Sequence, residues 1–240
     1  MRPLSLGVAL KTALLAGLGA GVVAGVFHLV VTEPVIEQAI ALEEQLHGAE
    51  GEPIVSRDIQ RGGLLVGFLL YGLAWALLFT VVQQIARRWL DGLGPLASLV
   101  CLVLLAYWSV ALLPFLKYPA NPPGVGDPET IEHRQQLYLT FLALSIAAGA
   151  LAVGLGRVVG RWKGALARWT ATLGALVVAS VVLLSIVPGV SESAQLPDEL
   201  LLRFRVVSLA GLTVFWLAFG LLFGWLALRS ERRSRTPAPA

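Results

Sequence analysis

The sequence predicts an all-α protein, a polytopic transmembrane helix bundle of six spans with both termini cytoplasmic. Three observations predict it. Of 240 residues, 57% are hydrophobic and only 14% charged, with a mean hydropathy of +0.78, against roughly 25% charge in an ordinary soluble domain. Six windows are free of Asp, Glu, Lys and Arg: Thr12–Val31, Gly62–Ala86, Gly92–Leu116, Gln135–Gly156, Trp169–Ser191 and Val206–Leu228. Each reaches the length of about 20 residues that crosses the hydrocarbon at 1.5 Å per residue. The runs are continuously apolar rather than alternating with period two, which favours helices over a barrel.

Orientation follows from the loop charges, because Lys and Arg accumulate on the cytoplasmic side. With the N-terminus inside, Arg2, Lys11, Arg87, Arg88, Arg157, Arg161, Lys163, Arg168, Arg229, Arg232, Arg233 and Arg235 all fall inside, beside only Asp91 and Glu231. The inner side then carries +10 and the outer side −7. The composition leaves no soluble domain, so residues 1–240 form one membrane domain, multi-pass in the cytoplasmic (inner) membrane, with the lipid bilayer as its first partner.

The first window follows Arg2 and Lys11 but exceeds the 7–15 apolar residues of a secretory signal, and reads as the first span. It carries Gly17, Gly21 and Gly25 at four-residue spacing; Gly156–Gly160 and Gly220–Gly224 repeat that spacing. Small residues at this period let helix backbones approach where lipid supplies no hydrophobic drive. After the span, Glu33 and Pro34 predict the cap and first position of a separate short helix with a stripe of Ile36, Ala39, Ile40 and Leu46, lying on the outer surface or folded over the bundle. His47-Gly48 ends it, and Glu50 to Pro53 reads as loop.

Cys101 stands alone in its span, so no disulfide forms within the chain, and an inert buried thiol is the expectation. Trp75, Trp89, Trp108, Trp162, Trp169, Trp216 and Trp225 lie mostly near window ends, where interfacial anchoring accounts for them. Beginning within the third window, Pro114, Pro119, Pro122, Pro123 and Pro128 exclude a helix by removing five backbone donors in fifteen residues. This stretch is either a stiff cap over an outer vestibule or a plain rigid loop. Asp127-Pro128-Glu129 makes a good start for the fourth helix.

Chemistry is sparse. No Cys-x-x-Cys pair, phosphate-binding glycine loop or His-Glu-x-x-His helix occurs, so no enzyme activity, resident cofactor or nucleic-acid partner is expected. All three histidines fall at or beyond the outer face. His28 lies inside the first apolar run, where an ionisable residue faces the bundle interior. Glu33 follows five positions later, then Glu37. One imidazole and two carboxylates supply donors for a divalent transition metal such as Co²⁺ or Ni²⁺; the structural alternative is a hydrogen-bonded His beside capping glutamates. His47 with Glu43, Glu44 and Glu50 reads as a solvated surface or a loose capture patch. His133, after acids that already serve a helix start, is the weakest candidate.

The segment Leu113-Pro114-Phe115-Leu116-Lys117-Tyr118-Pro119-Ala120-Asn121-Pro122-Pro123-Gly124-Val125-Gly126-Asp127-Pro128-Glu129-Thr130 resembles the central signature of the CbtA family, the predicted cobalt transporter subunit. The stretch from His28 to Glu33-Pro34, with Ile36, Ala39 and Ile40, resembles that family's first helix and its exit. Arg203-Phe204-Arg205 followed by Ser208-Leu209 resembles the start of its last helix. Ile131-Glu132-His133-Arg134-Gln135 departs from the expected glycine and Arg-Thr pair, so the resemblance gives His133 no role. Ser191 to Leu196 departs as well. The resemblance implies a membrane permease subunit for cobalt uptake linked to cobalamin metabolism, paired with CbtB, a small single-span subunit bearing histidines. The alternative is a non-transporting assembly partner that docks that metal-delivering subunit. The family is often counted with five spans; the charge arithmetic here predicts six.

Overall fold

In the computed structural model, residues 5–47, 55–90, 93–123, 125–126, 128–190 and 196–235 are described. Among them all regular structure is helical: α1 (Leu6–Phe27), α2 (Glu33–His47), α3 (Arg57–Ala86), α4 (Pro95–Tyr107), α5 (Leu113–Lys117), α6 (Ile131–Ile186) and α7 (Asp198–Arg235). Among the described residues, five helical stretches are long and apolar enough to cross a membrane: Leu6–Gln45, Arg57–Trp89, Pro95–Lys117, Ile131–Ile186 and Asp198–Ser230. The fourth is 56 residues long, about 84 Å if straight. It is not straight. Gly164 has φ 87° and ψ −178°, and the chain folds back there. A Cβ on Gly156 would meet the Thr172 hydroxyl and the Arg168 carbonyl, and one on Gly160 would meet the Arg168 side chain at 2.7 Å. Residues 156 and 172 would lie about 24 Å apart on a continuous helix.

The chain forms two compact units, Met1–Val103 with Val206–Ala240, and Leu104–Arg205. In the first unit α1 packs on α3 with almost no side chain between them. Ala9, Ala13, Ala16, Ala20 and Ala24 are wholly buried. A Cβ on Gly17 would strike the Gly72 carbonyl, one on Gly72 would strike the Gly17 carbonyl, and one on Gly21 would meet the Phe68 carbonyl at 2.5 Å. The four-residue glycine spacing is therefore a packing seam, as expected. Gly220 and Gly224 of α7 face side chains instead: an added Cβ would lie 3.1 Å from Val103 and, in ordinary contact, 3.5 Å from Leu99.

The seam between α3 and α7 is filled by rings. Tyr71 meets Phe215 at 4.8 Å, Trp75 meets Trp216 at 5.3 Å, and Phe79 meets Phe219 at 5.0 Å between centroids. Phe215, Phe219 and Phe223 are essentially inaccessible. Trp75 and Trp216, near the middle of their windows, belong to this core and are not interfacial anchors. Trp89 and Trp225 keep the expected terminal places, each under an arginine (Arg88 and Arg229).

Two helices carry a π turn directly before an X-Pro pair. His28–Thr32 precedes Glu33-Pro34, and Trp108–Leu112 precedes Leu113-Pro114. In each, the N–H before proline donates five residues back, Glu33 to the His28 carbonyl and Leu113 to the Trp108 carbonyl. The widened turn admits a ring that would clash with the carbonyl four residues back in an α-helix. Two expectations are corrected by it. The short helix after the first span is not separate: α2 continues α1 through the π turn, and its buried stripe centres on Val35 and Ala39. Pro114 does not break the third span: it is buried within α5, and the non-helical chain begins at Tyr118.

In the second unit, the next carbonyl on the π turn, that of Ser109, faces Pro114 five residues on, which has no N–H to offer. The Ser145 hydroxyl of α6 donates to it instead. Gly149 makes the approach possible, since a Cβ there would sit 2.7 Å from the Ser109 hydroxyl. Cys101 is half-buried.

Candidate functional site

The sequence spacing of His28 and Glu33 poses a geometric problem that the π turn solves. Five residues along an α-helix turn about 500°, which leaves two side chains on nearly opposite faces. The π turn, with its longer repeat, returns the fifth residue to the same side. Burial agrees: Thr32 and Glu33 are buried and His28 is half-buried, whereas Val30 and Val31 are exposed. His28, Thr32 and Glu33 thus share the inward face.

The His28 ring stacks on Phe68 of α3 at 4.6 Å and 17°, with Phe27 edge-on at 5.7 Å. Its other edge points at α7, where a Cβ on Gly211 would overlap Nε2. The imidazole is held between two helices, and only a glycine at 211 leaves it room. No sequence motif marks Gly211.

Glu33 is almost fully withdrawn from solvent, its side chain 9% exposed. Its Oε1 accepts from Arg57 Nη2 at 2.6 Å and from Arg61 Nε at 3.1 Å. Arg61 also donates to Glu37 and lies 3.7 Å from Asp58. The two arginines sit one turn apart at the start of α3, which places both guanidiniums over the first turn of α2. Burying a carboxylate demands such compensation, because an isolated ion outside water is costly. Sequence reading missed these partners. The available signal was their four-residue spacing on the side otherwise rich in acids.

The three predicted ligands are therefore divided. Glu33 and Glu37 converge on Arg61, and His28 stacks on Phe68. Among the described residues no group of three or more His, Cys, Asp or Glu side chains converges as a metal cage. Thr32 Oγ1 is buried with no hydrogen-bond partner. His133 is exposed on the first turn of α6. The His47 side chain and Glu50 lie outside what is described.

In the second unit the proline-rich stretch is tied down at several points. Lys117 Nζ donates to the Leu184 carbonyl at 2.9 Å and the Tyr118 hydroxyl to the Pro188 carbonyl at 2.8 Å. The first satisfies a carbonyl left open in the last turn of α6, and the second holds the chain just beyond that helix. Burial pushes the Tyr118 phenol above its ordinary pKa. Asn121 Oδ1 accepts from Arg205 Nη2 at 3.0 Å. Asn121 and Arg205, from two segments singled out by sequence and 84 positions apart, thus meet in space.

A family model described as "Probable cobalt transporter subunit (CbtA)" matches residues 8–228. Comparison with curated proteins and with solved structures returns no match.

Proposed function

The chain belongs to the CbtA family of probable cobalt transporter subunits, and we propose that it is the permease subunit through which Co²⁺ enters the cell. Membership makes it a membrane-embedded subunit of a metal transporter. Beyond membership, the observation that carries a permease reading is Glu33: a buried carboxylate on the inward face of a membrane span, sharing that face with His28. Ionisable groups in such positions mark ion pathways by default, because their desolvation is tolerated only for use. In this reading His28, Glu33 and Glu37 exchange ligands with the hydrated ion near the outer end of the first span. Nitrogen and oxygen donors of this kind suit Co²⁺ and Ni²⁺.

The reading includes six spans with both termini cytoplasmic, the fold-back at Gly164 being the inner turn between the fourth and fifth. It also includes residence in the inner membrane, a link to cobalamin metabolism and a small, single-span, histidine-bearing partner of the CbtB kind. Uptake of radiolabelled Co²⁺ into cells expressing the chain with and without that partner tests it. Saturable uptake that His28→Ala and Glu33→Gln each lower about tenfold or more, at unchanged protein level, is expected. Uptake unchanged in both variants overturns the site.

The arginines on Glu33 and Glu37 favour one other reading: an assembly subunit whose carboxylates serve helix docking, while the small partner handles the metal. Co²⁺ uptake by the partner alone, with this chain dispensable, selects that alternative.

A further inference from the structure

We infer that Arg57 and Arg61 act as tethered stand-ins for the cargo and set the preference of the site for divalent over monovalent cations. The inference deepens the metal-site reading above and rests on it. Glu33 and Glu37 together carry two negative charges, and Arg57 and Arg61 return two positive ones. A divalent cation carries the charge of both guanidiniums, so it can displace both and leave the carboxylates neutralised. A monovalent ion replaces only one, and the second arginine must stay or a carboxylate must remain uncompensated; of the two, Glu33 is buried and Glu37 is about half exposed, so the cost falls on Glu33. Burial turns that difference into discrimination, since removing one member of a buried pair is far more costly than exchanging it.

The geometry suits displacement. Both arginines are about one-third exposed, so their guanidiniums can swing to water on their flexible stems while Glu33 cannot follow. Asp58, 94% exposed and 3.7 Å from Arg61 Nη1, offers Arg61 a carboxylate on the solvent side. A second observation points to a ligand independently of the acids. Thr32 Oγ1 is buried without any partner on the face it shares with His28 and Glu33, an oxygen donor that the arginines leave unused. Displacement also undoes the bonds that tie α2 to α3, so cation occupancy and the docking of α2 are coupled. A tethered competitor lowers apparent affinity by the fraction of time the carboxylates are free.

Equilibrium dialysis of Co²⁺ against the purified full chain in detergent, in choline or sodium buffer, tests this. Wild type should bind Co²⁺ with the same affinity in both buffers. Arg61→Gln should bind about tenfold tighter or more in choline, and sodium should now compete. Adding Glu33→Gln should abolish the gain. Arg61→Lys keeps the charge and should stay near wild type in both buffers; Arg57→Gln should repeat the Arg61→Gln pattern and serves if that variant does not fold. The inference is overturned if the Gln variants bind no tighter than wild type, if Arg61→Lys behaves like Arg61→Gln, or if the gain survives Glu33→Gln. Failure of the underlying site looks different: Glu33→Gln alone would leave Co²⁺ binding unchanged.

Discussion

At the scale of single residues, the contact between His28 and Gly211 gives the sharpest handle on the site. A methyl group at 211 would occupy the position of His28 Nε2, forcing the ring off its stack on Phe68 without touching any charged group. On the proposed role of His28, Gly211→Ala is expected to lower Co²⁺ uptake several-fold, approaching the loss in His28→Ala, since losing the groups that orient a metal ligand costs about 10–100-fold. Protein abundance in the membrane should be unchanged. Gly174 meets nothing within 4 Å, so Gly174→Ala is the matched control and should transport normally. Unimpaired uptake in Gly211→Ala would remove the imidazole from the pathway. Replacing Asn121 by Ala deletes the acceptor for Arg205, whose Nε is already buried without a partner. Its expected signature is lower thermal stability by about 1–3 kcal/mol, the cost of an unsatisfied buried donor.

Among the elements, the helix pair α1 and α3 and the fold-back in α6 each depend on glycine for a separate reason. Gly17 and Gly72 present their backbones to each other, so Gly17→Ala or Gly72→Ala must push two helices apart. Overpacking of this kind costs about 1–3 kcal/mol; the melting temperature of the purified protein should fall in either variant and stay near wild type in Gly67→Ala, where the added methyl meets open space. Gly164 is open on all sides but has φ 87° and an extended ψ, a region essentially reserved for glycine. Gly164→Ala should destabilise through the backbone alone, by about 1–3 kcal/mol. Equal melting temperatures for Gly164→Ala and Gly174→Ala would contradict that. The π turns behave differently again: they are shared devices of α1 and α4, each placed directly before an X-Pro pair.

At the scale of the whole molecule, charge asymmetry predicts which side each loop faces. In a Cys101→Ala background, a cysteine at Ala49 should react with an impermeant thiol reagent added outside intact cells. One at Ala165, beside the fold-back and free of the Gly164 strain, should react only after permeabilisation. Reversed labelling would invert the +10 and −7 assignment, and with it the direction of every capture argument. Labelling of both from outside would reduce the count to four spans, because a hairpin whose turn at Gly164 lies outside does not cross at all.

Much of the architecture was legible because membrane solvation is severe and local. A backbone in hydrocarbon must bond to itself, so long uncharged runs had to be helices, and their positions could be counted from composition alone. Glycines at four-residue spacing announced close packing, because that period places them on one face. The histidine and two carboxylates of the candidate site were legible as residue types. What remained hidden depends on neighbours distant in sequence. No local pattern distinguishes a proline that ends a helix from one preceded by a π turn; at Pro114 the difference rests on Ser145, 36 residues from the carbonyl it serves. No local pattern tells a solvated Glu33 from a buried one, since its compensating charges arrive from Arg57 and Arg61 on another helix. Trp75 and Trp216 look like any membrane tryptophans until α3 and α7 are brought together. Desolvation wrote the spans into the chain residue by residue, but the partners of each buried polar group exist only once helices pack.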